Sequence, residues 1–249
     1  TRTFSSAASD VYKRQRRSMS SPALARAVEL VVHRGSQRVL DGVTETLCQG
    51  EVVAIMGENG SGKTTLIEAF AGLLPLRSGD VIWGENDNSL VIRDSQGRRN
   101  QPPSMGLTLQ KGGVCGDETV IERISVSLSV AGIGHSDGQI MELLSLWGLE
   151  HRANDRLAHL SGGLRRRVAI LGGLAPAALS NSPLVVLLDE PSEGLDDSAK
   201  DTLRSWIRSL SSRNHAILMA THDKDISSCA DRVLTIQDGS VEEHVGESL

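Results

Sequence analysis

Residues 51–66 read EVVAIMGENGSGKTTL, and the eight from Gly57 to Thr64, GENGSGKT, fit the pattern G-x-x-x-x-G-K-[S/T]. The apolar run before them predicts a buried strand over Glu51 to Ile55, and the residues after them predict a helix from about Lys63 to Leu73. A glycine loop between a strand and a helix is the context that makes this pattern a phosphate site. Glycines at 57, 60 and 62 let backbone N–H groups turn inward around an anion without Cβ clashes. The helix that follows points its positive dipole end at the same place. Lys63 brings a mobile charge for the outer phosphates of a nucleotide, and the Thr64 hydroxyl is a ligand for Mg²⁺. The candidate cradle is therefore Gly57, Glu58, Asn59, Gly60, Ser61, Gly62, Lys63, Thr64 and Thr65.

A cradle needs an acid to hold the cation. Leu184 to Leu188 is a fully apolar strand that ends in Asp189 and Glu190. Ligands collect at the carboxyl ends of parallel strands, so both carboxylates are expected to face the loop. Asp189 is the candidate Mg²⁺ ligand, and Glu190 the candidate general base for the attacking water.

Outward from these two segments, strands are expected over Ala27 to Arg34, Arg38 to Leu40, Val43 to Leu47, Val81 to Trp83, Met105 to Leu109, Ala216 to Ala220 and Val233 to Ile236. Glu85 to Pro103 is polar and reads as a hairpin loop. Glu118 to Trp147 has helical spacing, interrupted at Gly132-Ile133-Gly134, and helices are expected over Gly163 to Leu179 and Ser198 to Leu210. Strands alternating with helices imply an α/β fold with a mainly parallel sheet. No internal repeat is found.

Of the 249 residues, 39% are apolar and 2% aromatic. That is a globular composition without the stacking surfaces of a single-strand nucleic-acid binder. Residues 1–17 carry a net charge of +4; the other 232 hold 21 basic and 30 acidic groups, a net of −9. An acidic body argues against a broad nucleic-acid surface, and no nucleic-acid partner is expected. Cys48, Cys115 and Cys229 form no C-x-x-C pair, which fits a reduced protein rather than a disulfide framework or zinc site. The leader, residues 1–18, is Ser- and Arg-rich, as a mitochondrial presequence is. Its SSAASDVYKRQ stretch (5–15) instead resembles translated sequencing-adapter read-through, so the working expectation is a domain over 19–249.

Further signals follow in order: Gln110 after the strand Met105 to Leu109, LSGG at 160–163, Asp189 and Glu190, then Gly194-Leu195-Asp196, and Thr221-His222-Asp223. With the phosphate loop, this series resembles the nucleotide-binding subunits of ATP-binding cassette (ABC) transporters over about residues 27–241. The resemblance implies a P-loop NTPase core with an antiparallel β subdomain and a helical insert at about 114–157. It implies a head-to-tail homo- or heterodimer enclosing two ATP molecules with Mg²⁺. Each ATP would lie between one cradle and the other subunit's Ser161, Gly162 and Gly163, whose hydroxyl, amides and helix N-terminus suit a γ-phosphate.

By the same resemblance Gln110 joins the metal and the catalytic set, His222 contacts the γ-phosphate, and Asp196 belongs to the nucleotide interface. Separate transmembrane permease chains would dock on the insert beside Gln110, which places the chain in the cytoplasm, peripheral to the membrane. Three departures from the family stand out. Leu164 replaces the usual Gln, and Ala175 to Asn181 lengthens the segment before the acid strand. His33-Arg34 replaces the aromatic that stacks on adenine; strand alternation lets only one of the two face the base, and position relative to Gly35 favours Arg34. The missing aromatic, the three arginines at 165–167 and the short chain also resemble the haem-exporter ATPase of cytochrome c maturation.

The alternative reading is a soluble ABC ATPase of the iron–sulfur assembly type. A DNA-repair type is disfavoured, because about 50 residues between Gln110 and Leu160 leave no room for a coiled coil. Glu190 and His222 together argue against a regulator that binds without turnover.

Overall fold

The computed structural model describes residues 21–84, 89–110 and 116–244. The leader at 1–18 and the first residues of the expected insert, 114 and 115, lie outside them. The order is β1 (Ala23–Arg34), β2 (Gln37–Cys48), β3 (Val52–Met56), α1 (Lys63–Phe70), β4 (Ser78–Trp83), β5 (Leu90–Asp94) and β6 (Met105–Thr108). Then come α2 (Val120–Val130), α3 (Asp137–Leu146), α4 (Gly162–Leu179), β7 (Val185–Asp189), α5 (Asp197–Ser212), β8 (Ala216–Ala220), α6 (Lys224–Ser227), β9 (Arg232–Gln237) and β10 (Ser240–His244).

Six strands form one sheet in the order β10-β9-β3-β8-β7-β6, parallel except for β10. Its inner strands read VVAIM, VVLLD and AILMA and are buried almost throughout, as strands covered on both faces must be. One apolar cluster joins this sheet to α2 through α5; a second joins it to α1 and to an antiparallel sheet ordered β2-β1-β4-β5. The core is thus a parallel sheet between a helical layer and a β layer, the α/β fold expected from the alternation.

Helices α2 and α3 begin at Thr119 and Ser136, each closing a reciprocal cap with Glu122 or Gln139. The expected break at Gly132–Gly134 is where they part. Helix α4 lies backbone against backbone on β6: a Cβ on Gly106 would collide with the Gly173 carbonyl oxygen. That contact fixes how the Ser161 end of α4 sits over the ends of β6 and β7.

Two expectations are corrected. Within the polar stretch 85–103, Leu90–Asp94 is a strand paired antiparallel with β4. Ile92 is buried against Gly72, and this apolar pin is masked in the sequence by the DSQGRRNQPP that follows. The two short strands expected over 38–40 and 43–47 are one continuous strand, β2, carried through Gly42 at φ +68°. Among the described residues, no helix is long and apolar enough to cross a membrane.

Candidate functional site

The loop after β3 curls as its glycines dictate. Gly57 and Gly62 sit at φ +143° and +115°, and a Cβ on Gly57 would stand 2.8 Å from Ser61 Oγ and 2.9 Å from the Ile236 carbonyl. Lys63 opens α1 and is buried; its ammonium donates to the carbonyls of Gly57 at 2.8 Å and Glu58 at 2.9 Å. Thr64 and Thr65 occupy the same first turn, and Ser61 Oγ is buried without a hydrogen-bond partner. Asn59 and Gly60 form the exposed rim of the loop.

At the end of β7, Asp189 is fully buried and neither carboxylate oxygen closes a hydrogen bond. Burial pushes its carboxyl up. The Thr64 hydroxyl and Gln110 amide come near enough to favour the charged form, and the Glu190 and Glu68 carboxylates oppose it. A buried carboxylate with both oxygens unpartnered, next to the hydroxyl of Thr64, is a donor set suited to a hard divalent cation.

Glu190 follows at φ +47°, a left-handed backbone unusual for a residue with a side chain. Its amide donates to the Ala220 carbonyl at 2.8 Å. Its carboxylate accepts from the His222 backbone amide at 3.3 Å and lies 2.9 Å from His222 Nδ1. Glu190 is buried whereas His222 is exposed, so the pair reaches from the interior to the surface. Gln110 donates from Nε2 to Glu193 at 3.1 Å, which ties the end of β6 to the turn after β7.

The remaining candidates stand apart from this cluster. Ser161 caps α4 by accepting from the Leu164 amide at 3.3 Å, and Ser161, Gly162 and Gly163 are all exposed. Asp196 caps α5 through the Ala199 amide and pairs with Arg167 at 2.5 Å; these contacts hold its carboxyl below the usual range. Arg34 is in an ion pair with Glu68 of α1. Strict alternation does not hold along β1: bulges near Glu29 leave Leu30, Val31 and Val32 all buried, and His33 and Arg34 both exposed.

Sequence reasoning missed Arg166. Its guanidinium donates to the carbonyls of Glu190 at 2.5 Å, Asp189 at 3.1 Å and Leu109 at 3.4 Å. The run of three arginines was visible, but nothing in it says which one turns inward.

A phosphate loop after β3, a buried acid at the same end of β7 across the intervening β8, and an α/β core define a P-loop nucleotide-binding cassette. Residues 40–193 match the ABC transporter family, and the chain belongs to it. It is 34% identical over 210 residues to the macrolide export ATP-binding/permease protein MacB of Psychrobacter cryohalolentis, covering 82% of this chain and 30% of that one. It is also 34% identical over 234 residues to the lipoprotein-releasing system ATP-binding protein LolD 1 of Caulobacter vibrioides, covering 91% and 97%. The chain therefore spans about a third of the MacB relative and nearly all of the LolD one. A solved dimeric ATP-binding cassette in a post-hydrolysis state, with ADP and phosphate, superposes with a TM-score of 0.74 at 23% identity, over 90% of this chain and 100% of that one. At that identity it supports the fold alone.

Proposed function

We propose that this chain binds and hydrolyses ATP and thereby energises transport through separate permease chains. One observation carries this: the buried, unpartnered Asp189 carboxylate stands beside Thr64 at the mouth of the phosphate loop, with the Glu190–His222 pair next to it. In this reading residues 57–65 cradle the phosphates, with Lys63 leaving its loop carbonyls for the outer phosphates. Thr64, Asp189 and Gln110 would hold Mg²⁺, whose part is to neutralise charge on the phosphates. Glu190 draws a proton from water, and His222 orients it and the γ-phosphate. Arg34 lies on the base side.

Ser161, Gly162, Gly163 and Asp196 act on the nucleotide of a second cassette, so a homo- or heterodimer is the working unit. Residues 19–249 are read as one ATPase domain, and its helical insert, about 114–157, as the surface that meets a permease. In this reading the domain works at the cytoplasmic face of a membrane. The relatives reported above are named as parts of transporters, which favours this reading over a soluble ATPase of the iron–sulfur assembly type.

Glu190→Gln tests it. Turnover is expected to fall about a hundredfold or more with ATP binding retained, because a general base contributes on that scale. An ATP-bound dimer should accumulate and be seen by size-exclusion chromatography with Mg-ATP. A variant that stays monomeric and hydrolyses at the unmodified rate removes Glu190 from the mechanism.

A further inference from the structure

Glu190 is the residue on which turnover rests in the reading above, and its backbone occupies a conformation that L residues avoid. Something has to hold it there. Its amide is held by the Ala220 carbonyl on one side. Its own carbonyl accepts from the Glu193 amide at 3.2 Å and, more closely, from Arg166 Nη2 at 2.5 Å. The same nitrogen donates to the Asp189 carbonyl at 3.1 Å, and Nη1 to the Leu109 carbonyl at 3.4 Å. A single guanidinium thus spans the carboxyl ends of β6 and β7 and grips the peptide on both sides of the Glu190 Cα.

The arrangement is poor as a purely stabilising one. Burial pushes the Arg166 pKa down, the Glu193, Asp189 and Glu190 carboxylates only partly counter that, and Nε is buried without a partner. A planar, always-charged fork offers five N–H donors in a fixed geometry, more than an ammonium or an amide brings to a row of carbonyls.

We propose that Arg166 is a positioning residue for ATP hydrolysis: it locks the left-handed backbone of Glu190 and so fixes where the Glu190 carboxylate meets His222 and the attacking water. This inference rests on the reading of Glu190 as the base. It also links that base to α4, the helix whose first turn carries Ser161, Gly162 and Gly163.

Arg166→Gln and Arg166→Lys test it in the full chain, with Glu190→Gln as reference. Arg166→Gln is expected to lower kcat about tenfold or more, part of the contribution of a general base, while KM for ATP stays within about twofold. Arg166→Lys, which keeps the charge and fewer contacts, should recover part of the rate. In the Glu190→Gln background, Arg166→Gln should add little further loss in single-turnover hydrolysis, because it acts through that side chain.

Thermal melting and ATP binding report folding, and if Arg166→Gln does not fold, Arg166→Lys decides by the same kcat and KM split. A folded variant with unmodified kcat, or one whose loss multiplies fully with that of Glu190→Gln, overturns the proposal. A Glu190→Gln protein that still turns over normally removes the base itself, whatever Arg166 does, so the two failures are distinct.

Discussion

The two ends of strand β7 are built to different rules. At its start the Leu184 amide donates to Nδ1 of buried His215 at 3.0 Å, and the Leu184 carbonyl accepts from the Ala216 amide at 2.9 Å. At its other end, five residues on, Asp189 keeps two buried oxygens unpartnered and Glu190 holds a left-handed backbone. Proteins satisfy most buried polar groups, and on the proposed function the contrast along one strand reflects stability given up for a ligand. One end is made to hold the sheet together. The other, on the proposed function, is the reactive one.

The largest test of that contrast is Asp189→Asn, which keeps the side-chain shape and removes the charge. Mg-ATP turnover should fall about a hundredfold or more, since a bound cation contributes several kcal/mol of charge stabilisation. Stability should move the other way. A carboxyl whose folded pKa lies above its unfolded value is ionised at a cost at neutral pH, so the neutral variant should melt higher. Calorimetry checks this, and a melt that collapses as for a core deletion would break the comparison.

Next in size is a test of what completes the reactive end. Ser161, Gly162 and Gly163 are exposed, and the Ser161 hydroxyl caps its own helix. If they serve a second subunit, Lys63→Ala and Ser161→Arg damage different halves of each composite site. Mixing the two inactive proteins in equal amounts should restore about a quarter of the unmodified ATPase rate, from heterodimers with one intact site. Heterodimers that form and stay inactive would overturn the head-to-tail arrangement.

The stable end makes its own prediction. Burial, with the Arg213 charge beside it, pushes the His215 pKa down to about 4 from 6.5. Here the unfolded chain takes up the proton first. Stability is therefore complete above about pH 6.5 and falls as pH descends towards 4, by about 3 kcal/mol from this group. His215→Asn can still accept from the Leu184 amide, and should flatten that part of the pH dependence without changing turnover at pH 8. Denaturant melts between pH 7.5 and 4.5 measure it. An unchanged slope would mean that His215 is not kept neutral by the fold.

How much of this was readable in the sequence follows from how local each signal is. The cradle, the acid strand and the α2–α3 break are encoded in contiguous residues, through glycine spacing, an apolar run and a Gly-Ile-Gly interruption. Strand β5 was hidden because only Ile92 pins it, beside a long polar run. The left-handed backbone of Glu190 and the inward turn of Arg166 depend on contacts 24 residues apart in the chain. The buried cluster of Arg232 with Glu45 and Glu51 joins residues 187 and 181 positions apart. No window of sequence contains such pairs. Arg34 shows the same limit, because alternation cannot register a bulge at Glu29 or an ion pair formed with α1.

That ion pair, between β1 and α1, sets the smallest prediction. Arg34 and Glu68 are partly exposed, so their pair is worth about 0–1 kcal/mol and is screened by salt. A guanidinium engaged by Glu68 is a poorer platform for a purine than a free one, and the phosphates, common to ATP and GTP, should then dominate binding. Discrimination between the two is expected to stay within about tenfold, or about 1.4 kcal/mol. A ring at this position would stack on a base for about 1–3 kcal/mol. Arg34→Tyr should therefore tighten ATP by about 1 kcal/mol net, and Glu68→Gln, which frees the guanidinium, should tighten it by less. Titrating ATP and GTP against the three proteins at two salt concentrations separates the terms. If Arg34→Tyr leaves ATP affinity unchanged, the base does not lie over β1. A parent protein that prefers ATP by more than about a hundredfold would mean that another group reads the base.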